Sequence, residues 1–293
     1  MMGRFNTVRR FEEIDSTNRW VAEQARGGAA DGLVAVAEMQ SAGRGRLDRT
    51  WIAPVGSALL CTVLVRPRMP MARWHWLNLA MAVAAQDAIG VLGEQFGSVD
   101  GGLAVAVKWP NDLIVPTKGD RKLAGILAEM VLPANGEGAV AVGIGLNVRR
   151  PSGVDPVVAA RGVWLDELLG VPTSNVNDGA ETESGSSGSY VDRLLSDGQP
   201  ASPSVDDVLN VLLPEFERQV TEVEDHPTAF LENYRQRCIT VGRQVRAMLP
   251  SSDIIGTASG IDSDGQLLVT TDDGTTHTIS AADVVHIRPA DTD

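Results

Sequence analysis

The segment 43–49, with the sequence GRGRLDR, holds three arginines and two glycines. Guanidinium groups repel one another when crowded, and they bind phosphate or carboxylate through rigid bidentate donors. Glycine lets the backbone adopt conformations that close around a ligand. The spacing therefore predicts a loop that orders around an anionic ligand. A solvated basic loop is the alternative, because most short runs of charge end that way.

Two further segments combine a lysine with polar or small residues. In the first, 108–112 (KWPND), the residues Asn111 and Asp112 could hold a nucleotide or its metal, or could form an Asx turn between two strands. In the second, Lys122 begins an apolar segment and Gly125 follows three residues later. A lysine at a strand edge often serves only solubility, but here it could stabilise charge that develops in a cleft.

The remaining candidate residues are two glycines and a cluster of small polar residues. Gly143 and Gly145 alternate along an apolar segment, so they share one strand face and leave a flat surface for a ligand. The chain contains neither a dinucleotide-binding glycine fingerprint nor a P-loop. Residues 15–18 (DSTN) are explained by helix capping alone, with a ligand role as the alternative.

Composition excludes several classes of protein. The net charge is −13 and the isoelectric point about 4.7, which argues against a protein that binds nucleic acid or an anionic membrane. Cys61 and Cys238 cannot form a disulfide scaffold, and Cys61 is expected to pack as a small hydrophobic residue. The N-terminal residues lack the apolar core of a secretory signal. We therefore expect a cytoplasmic protein.

Hydrophobic periodicity predicts an α+β fold with a mixed or antiparallel sheet. Apolar residues at helical spacing predict a buried helix, and short turns between apolar segments favour antiparallel neighbours. The predicted helices span 17–26, 74–92, 205–223 and 227–237, and the predicted strands span 33–39, 57–65, 103–109, 122–131 and 139–148.

The C-terminal part has a different pattern. Five short strand candidates follow residue 241 and are separated by turn signals, which is typical of a small SH3-like β-barrel. We predict a catalytic domain over 1–239 and a β domain over 240–293. Residues 172–204 are rich in Ser, Gly and Asp and are predicted to form a mobile insertion.

Taken together and in order, these motifs resemble the biotin–protein ligase family. The resemblance is carried by DSTN at 15–18, QSAGRGRLDRTW at 40–51, KWPND at 108–112, KLAGI at 122–126 and GIGLNV at 143–148. It implies a catalytic domain similar to class II aminoacyl-tRNA synthetases. It also implies a two-step reaction, in which biotin and MgATP form biotinoyl-5′-AMP and a carrier lysine then takes the biotinoyl group.

The resemblance also implies residue roles. Lys122, Arg44 and Arg46 are the expected catalytic residues, with Lys122 at the biotin carboxylate and the α-phosphate. The expected biotin-binding residues are Ser16, Thr17, Asn18, Gln40, Gly43, Arg44, Gly45, Arg46, Lys122, Gly125, Gly143 and Gly145. The expected ATP-binding residues are Arg49, Trp51, Asn111, Asp112 and Asn147. Mg²⁺ is expected to accompany ATP, and no residue is assigned as its ligand.

The expected partner is a biotin carboxyl carrier domain of an acyl-CoA carboxylase or a pyruvate carboxylase. Family members with a helix-turn-helix domain also act as repressors. Since DSTN begins at residue 15, this sequence has no room for such a domain before it, and we expect ligase activity only. The family loop often has glycine where this chain has Asp48, which bears on the flexibility of the loop. A lipoate–protein ligase and a non-catalytic biotin-binding regulator are the alternatives.

Overall fold

A computed structural model describes most of the chain, as two β-sheets with helices packed around the larger one. The described residues are 3–46, 49–96, 104–132, 137–169, 202–249, 252–280 and 282–287. Most of the predicted insertion at 172–204 lies outside the described residues, and so does Asp48.

The larger sheet has seven strands in the order β1-β2-β3-β7-β6-β5-β4. Only β1 and β2 pair in parallel; every other neighbouring pair is antiparallel. The strands are β1 (Thr7–Ile14), β2 (Leu33–Gln40), β3 (Ala58–Val65), β4 (Ala106–Lys108), β5 (Asp112–Val115), β6 (Arg121–Val131) and β7 (Ala139–Asn147). The prediction of a mixed sheet in an α+β fold is therefore confirmed.

Helices cover both faces of this sheet. On one face, α1 (Thr17–Arg26) packs on the strands through Val21, Ala22 and Ala25. On the other face, α2 (Trp76–Gln95) lies between the sheet and α5 (Val205–Asp225), with α6 (Pro227–Arg237) beside them. Two short helices, α3 (Pro156–Arg161) and α4 (Leu165–Leu168), follow β7.

Burial explains the central elements. Every residue of β3 is buried, as expected for a strand covered on both faces. Helix α2 is apolar on all sides because the sheet and α5 enclose it. By length and composition α2 could also cross a membrane, but most of it is buried inside the protein, as in the core helix of a globular fold.

The sequence missed two strands. Burial along β1 alternates poorly and four of its eight residues are charged, because it is an edge strand. Strand β5 has only four residues. It begins at Asp112, the last residue of the segment 110–112 in which a turn was expected. Strand β4 is shorter than the predicted segment 103–109, and β6 begins at Arg121 rather than at Lys122.

The C-terminal residues form the second sheet, of five antiparallel strands in the order β11-β10-β9-β8-β12. The prediction of five short strands is confirmed. These strands are β8 (Gln244–Met248), β9 (Asp253–Ile261), β10 (Leu267–Thr270), β11 (Thr276–Ile279) and β12 (Asp283–His286).

Two tryptophans hold the second sheet in place: Trp76, at the start of α2, and Trp109, between β4 and β5. Trp109 Nε1 donates to the carbonyl of Gly265 at 3.0 Å, and Trp76 Nε1 donates to the carbonyl of Asp264 at 2.9 Å. Gly265 has φ +79°, a turn conformation that favours glycine, and it lies against Trp76. Trp109 of the KWPND motif is therefore a structural residue between the two sheets.

A buried histidine at the same junction makes stability depend on pH. His286 contacts Thr240, Arg243 and Asp120, and burial, together with the positive charge of Lys108, lowers its pKa from 6.5 to about 4. Nδ1 lies 3.1 Å from Arg243 Nη1 and 3.3 Å from Asp120 Oδ2, and Nε2 lies 3.2 Å from Thr240 Oγ1.

The unfolded chain binds this proton at higher pH than the folded chain does, so acidification favours unfolding. The free energy of unfolding is expected to fall by about 2 kcal/mol between pH 7 and pH 5 through His286 alone. Urea unfolding at both pH values measures it. His286→Gln should lose this part of the pH dependence, and an equal dependence in both proteins would show that His286 does not cause it.

Candidate functional site

A cleft lies on the sheet face that carries α1, beside the start of that helix. The residues that sequence analysis singled out from five separate motifs meet here. Those lining the cleft are Ser16, Thr17, Asn18, Gln40, Arg44, Gly45, Arg46, Arg49, Trp51, Asn111, Asp112, Lys122, Gly125, Gly143 and Gly145.

One end of the cleft is polar and preorganised. Ser16 caps α1, as predicted, with extended backbone angles and a hydroxyl that accepts from Arg19 N. Gln40, at the end of β2, accepts through Oε1 from the backbone N–H of Thr17 at 2.8 Å. Ser16 and Thr17 are 1% and 3% exposed, so the protein fixes both hydroxyls before a ligand arrives.

Asn18 is held entirely by the protein. Its Nδ2 donates to the carbonyl of Leu127 at 3.0 Å and to Glu129 Oε2 at 2.9 Å, while its Oδ1 accepts from Thr62 Oγ1 at 2.7 Å. The amide thus already has a partner for each donor and for its oxygen. Asn18 lines the cleft, but it positions the polar end rather than offering an unused group to a ligand.

The three glycines leave space that other side chains of the protein occupy. A Cβ on Gly143 would lie 1.9 Å from Asn18 Oδ1. A Cβ on Gly145 would lie 2.5 Å from Trp51 Cε2, and one on Gly125 would lie 3.1 Å from Trp51 Cζ3. The space beside the two predicted glycines, Gly143 and Gly145, is therefore filled by Asn18 and by the indole of Trp51.

The other end of the cleft is charged. Lys122 Nζ lies 2.7 Å from Asp112 Oδ1 and 5.5 Å from the centre of the Trp51 ring. Asp112 is held there because β5 pairs with β6 and places it opposite Gly125. An anion that enters this end of the cleft meets an ammonium group that already has a fixed position.

The arginine-rich loop folds back on itself over the cleft. Gly45 N donates to Arg49 O at 2.7 Å, and Trp51 N donates to Gly43 O at 3.1 Å. Arg46 Nη1 donates to Asn111 Oδ1 at 3.1 Å, which connects the loop to the KWPND turn.

Arg44 connects the same loop to the sheet. Its Nη1 lies 2.8 Å from Glu129 Oε1, and its side chain is 45% exposed. An exposed ion pair of this kind contributes little to stability. Arg44 can therefore exchange Glu129 for a ligand at low cost.

Two predicted residues lie outside the lining of the cleft. Gly43 closes the base of the loop, since a Cβ there would lie 2.3 Å from the carbonyl oxygen of Trp51. Asn147 donates through Nδ2 to the carbonyl of Val163 at 3.1 Å and to that of Lys122 at 3.4 Å. Both residues act on the site through the backbone they hold.

Sequence reasoning missed Thr62, Leu127 and Glu129. The available signal for Thr62 was a single polar residue inside the otherwise apolar segment 58–65 (ALLCTVLV), which is fully buried in the structure. Cys61 was predicted to pack as a hydrophobic residue and does so at the cleft wall. Burial raises its pKa to about 12, so the thiol stays protonated at neutral pH.

The contact at Gly143 gives a direct test of the polar end. Gly143→Ala is expected to lower the free energy of unfolding by about 1–3 kcal/mol, because the pinned Asn18 cannot yield to the methyl group. Gly90→Ala on α2 is the matched control, since an added methyl there meets no atom within 4 Å. Urea denaturation measures the free energy of unfolding of both variants. If Gly143→Ala were as stable as Gly90→Ala, the contact with Asn18 would be contradicted.

Comparison with known proteins gives two family matches. Residues 11–147 match the biotin/lipoate A/B protein ligase family. Residues 240–287 match the biotin protein ligase C terminal domain. The first match contains every lining residue named above.

Individual relatives extend these matches over most of the chain. Biotin–[acetyl-CoA-carboxylase] ligase of Mycobacterium tuberculosis is 34% identical over 280 residues, which is 94% of this chain and 87% of the relative. The enzyme of the same name from Paracoccus denitrificans is 29% identical and covers 87% of this chain and 90% of its own length. The fold is similar to that of biotin protein ligase from Aquifex aeolicus in complex with biotin and ATP, with TM-score 0.72 and 21% identity over 97% of this chain and 100% of that chain.

Proposed function

The chain belongs to the biotin/lipoate A/B protein ligase family, and we propose that it uses ATP to attach biotin to a lysine of an acetyl-CoA carboxylase carrier domain. One observation of the structure carries the proposal. A single cleft joins a polar end, built by Thr17 and Gln40, to a charged end, built by Lys122 and the loop arginines. Biotin has the matching polarity, with a polar ring at one end and a carboxylate at the other.

The proposed reaction has two steps. A carboxylate oxygen of biotin attacks the α-phosphorus of ATP, and pyrophosphate leaves to give biotinoyl-5′-AMP. The carrier lysine, as a free amine, then attacks the acyl carbon, AMP leaves, and the amine loses a proton as the amide forms. Both steps build negative charge on oxygens, so fixed cations beside the reacting atoms lower both barriers.

Lys122 supplies such a cation. Its ion pair with Asp112 holds the ammonium group in the cleft before substrates arrive. When biotin and ATP bind, Lys122 contacts the biotin carboxylate and the α-phosphate. Asn147 supports this role, because it donates to the backbone carbonyl of Lys122.

The loop encloses the intermediate in this proposal. Arg44, Gly45 and Arg46 cover the adenylate, and Arg46 already reaches Asn111 across the cleft. Trp51, Arg49 and Asn111 lie at the nucleotide end. The indole of Trp51 packs against Gly145 and Gly125, which places it on the floor of the cleft.

Magnesium fits the charged end as a companion of ATP. No group of three or more His, Cys, Asp or Glu side chains in the described part of the chain has the arrangement of a metal site. Mg²⁺ is commonly held by one or two carboxylates and by substrate phosphates, however, and Asp112 lines the cleft. Asp112 would hold the ion, which neutralises charge on the phosphates.

The proposal also covers the fold type of each of the two parts of the chain. We propose that the catalytic part, up to residue 239, resembles class II aminoacyl-tRNA synthetases and that the five-stranded sheet is SH3-like. The second family match begins at residue 240, which supports this boundary.

Both cysteines are free, which supports action in the cytoplasm. A pyruvate carboxylase carrier is a second expected acceptor.

Biotin-dependent exchange of label between pyrophosphate and ATP tests the proposed function. Exchange with biotin but not with lipoate is the expected result, together with a rise in melting temperature on adding biotin. Exchange with lipoate alone would instead assign lipoate ligation. A biotin-induced stabilisation without any exchange would assign a biotin-binding regulator.

A further inference from the structure

Four side chains at the polar end of the cleft form a continuous line of oxygen contacts. Thr17 Oγ1 lies 3.1 Å from Gln40 Oε1 and 2.8 Å from Thr62 Oγ1. Thr62 Oγ1 in turn lies 2.7 Å from Asn18 Oδ1. Thr17, Thr62 and Asn18 are 3%, 0% and 5% exposed, so their polar groups are satisfied mainly within the protein.

The chemistry of its neighbours fixes the orientation of the Asn18 amide. The two groups beside Nδ2, the carbonyl of Leu127 and the carboxylate of Glu129, both accept hydrogen bonds. A rotated amide would bring its oxygen against these two acceptors. Asn18 therefore presents its oxygen to Thr62, as an acceptor only.

The orientation of Gln40 is fixed in the same way. The backbone N–H of Thr17 donates to its Oε1 at 2.8 Å, so the oxygen faces Thr17. Both ends of the line are thus acceptors. Only the two hydroxyl groups between them, Thr17 and Thr62, carry protons that can fill the contacts.

These two protons are shared among three contacts. If Thr62 donates to Asn18, the 2.8 Å contact requires Thr17 to donate to Thr62. If Thr62 donates to Thr17 instead, Thr17 donates to Gln40 and Asn18 Oδ1 is left without a donor. In both arrangements the protein consumes both protons, so Thr17 turns only a lone pair toward the cleft.

We propose that Thr62, which does not line the cleft, determines ligand specificity by making Thr17 an obligatory acceptor. The polar end then selects a ligand that brings an N–H donor and disfavours one that brings an acceptor at that point. This rests on the proposed function and deepens it. The ureido ring of biotin carries N–H groups, whereas the dithiolane ring of lipoate has none. Thr62 is a positioning residue, since it acts through Thr17.

Replacing Thr62 removes the constraint. In Thr62→Val the hydroxyl of Thr17 loses its buried partner, and its proton can turn to a ligand oxygen at the cost of the longer Gln40 contact alone. Thr62→Ser keeps the hydroxyl and is the matched control. Thr62→Ala removes the hydroxyl without the branched side chain and replaces the valine variant if that protein does not fold.

The probes are biotin and its two analogues in which one or the other ring N–H is replaced by oxygen. Calorimetric titration of the whole chain gives Kd for each. We expect the wild type to prefer biotin over at least one analogue by about 10–100-fold, and the preference to fall about tenfold in Thr62→Val. Thr62→Ser should retain the wild-type preference. In pyrophosphate exchange, Thr62→Val should change the KM for biotin more than it changes kcat.

Two results would overturn the proposal: a wild type that binds biotin and both analogues with equal affinity, or a preference that is unchanged in the valine or alanine variant. A merely structural role for Thr62 predicts the second result, because it weakens all three ligands equally. Failure of the proposed function is distinguishable. It would appear as wild-type binding without any biotin-dependent exchange, and the binding preference would still be measured.

Discussion

Lys122→Ala is expected to lower the rate of biotin-dependent pyrophosphate exchange by about 10²–10³-fold. The ammonium group is the cation that the cleft holds in place beside Asp112, at 2.7 Å, before any substrate binds. Removing it leaves the charge that develops during adenylation without this fixed partner, and it also leaves the carboxylate of Asp112 unopposed next to an incoming anion.

The fold should survive this change. The Lys122 side chain is 37% exposed, and the strand around it is held by backbone pairing with β5 and β7. Lys118→Ala is the matched control, because this exposed lysine lies in the same turn region and outside the cleft. Circular dichroism checks folding in both variants. Exchange in Lys122→Ala within a few-fold of the wild type would remove Lys122 from the mechanism.

Arg46→Gly is expected to release the biotinoyl-adenylate about ten- to a hundredfold faster while slowing adenylation much less. Arg46 donates to Asn111 across the cleft, so it helps to hold the loop closed over the site. A charge-assisted hydrogen bond contributes about 1.5–3 kcal/mol, and its loss from the closed state appears mainly in the off-rate. Glycine adds backbone freedom that opposes closure.

Released adenylate is a mixed anhydride that acylates exposed amines without enzyme. The variant should therefore label serum albumin when it is incubated with biotin and ATP, and a biotin blot detects the label. Arg46→Ala separates the lost guanidinium from the added backbone freedom, since alanine removes only the former. If albumin labelling and adenylate retention match the wild type in both variants, Arg46 does not contribute to closure.

Much of this protein could be predicted from local sequence signals. Ser16 precedes a helix with the pattern of an N-cap, and α2 shows its apolar residues at helical spacing. The five C-terminal strands are separated by Asp-Gly and similar turn signals. The strands that were missed, β1 and β5, are an edge strand with many charges and a strand of four residues, so neither has a strong periodic signal.

The sequence by itself determined the identity of the motifs, their order and the chemistry their side chains can perform, because these depend on residue types and short spacings. Only the tertiary structure decided which of these polar groups form hydrogen bonds with one another. Asn18 and Asn147 were both read as ligand-binding residues, yet their amides are committed to Leu127, Glu129, Val163 and Lys122.

The physical reason is that hydrogen-bond partners are chosen by strand register and not by proximity in sequence. Asn18 meets Glu129 across 111 positions and Thr62 across 44. It can do so because β3 pairs with β7 and sets Thr62 opposite Gly143, the residue without a side chain. A shift of one residue in that register would turn Thr62 to the other face of the sheet and leave Asn18 without its donor.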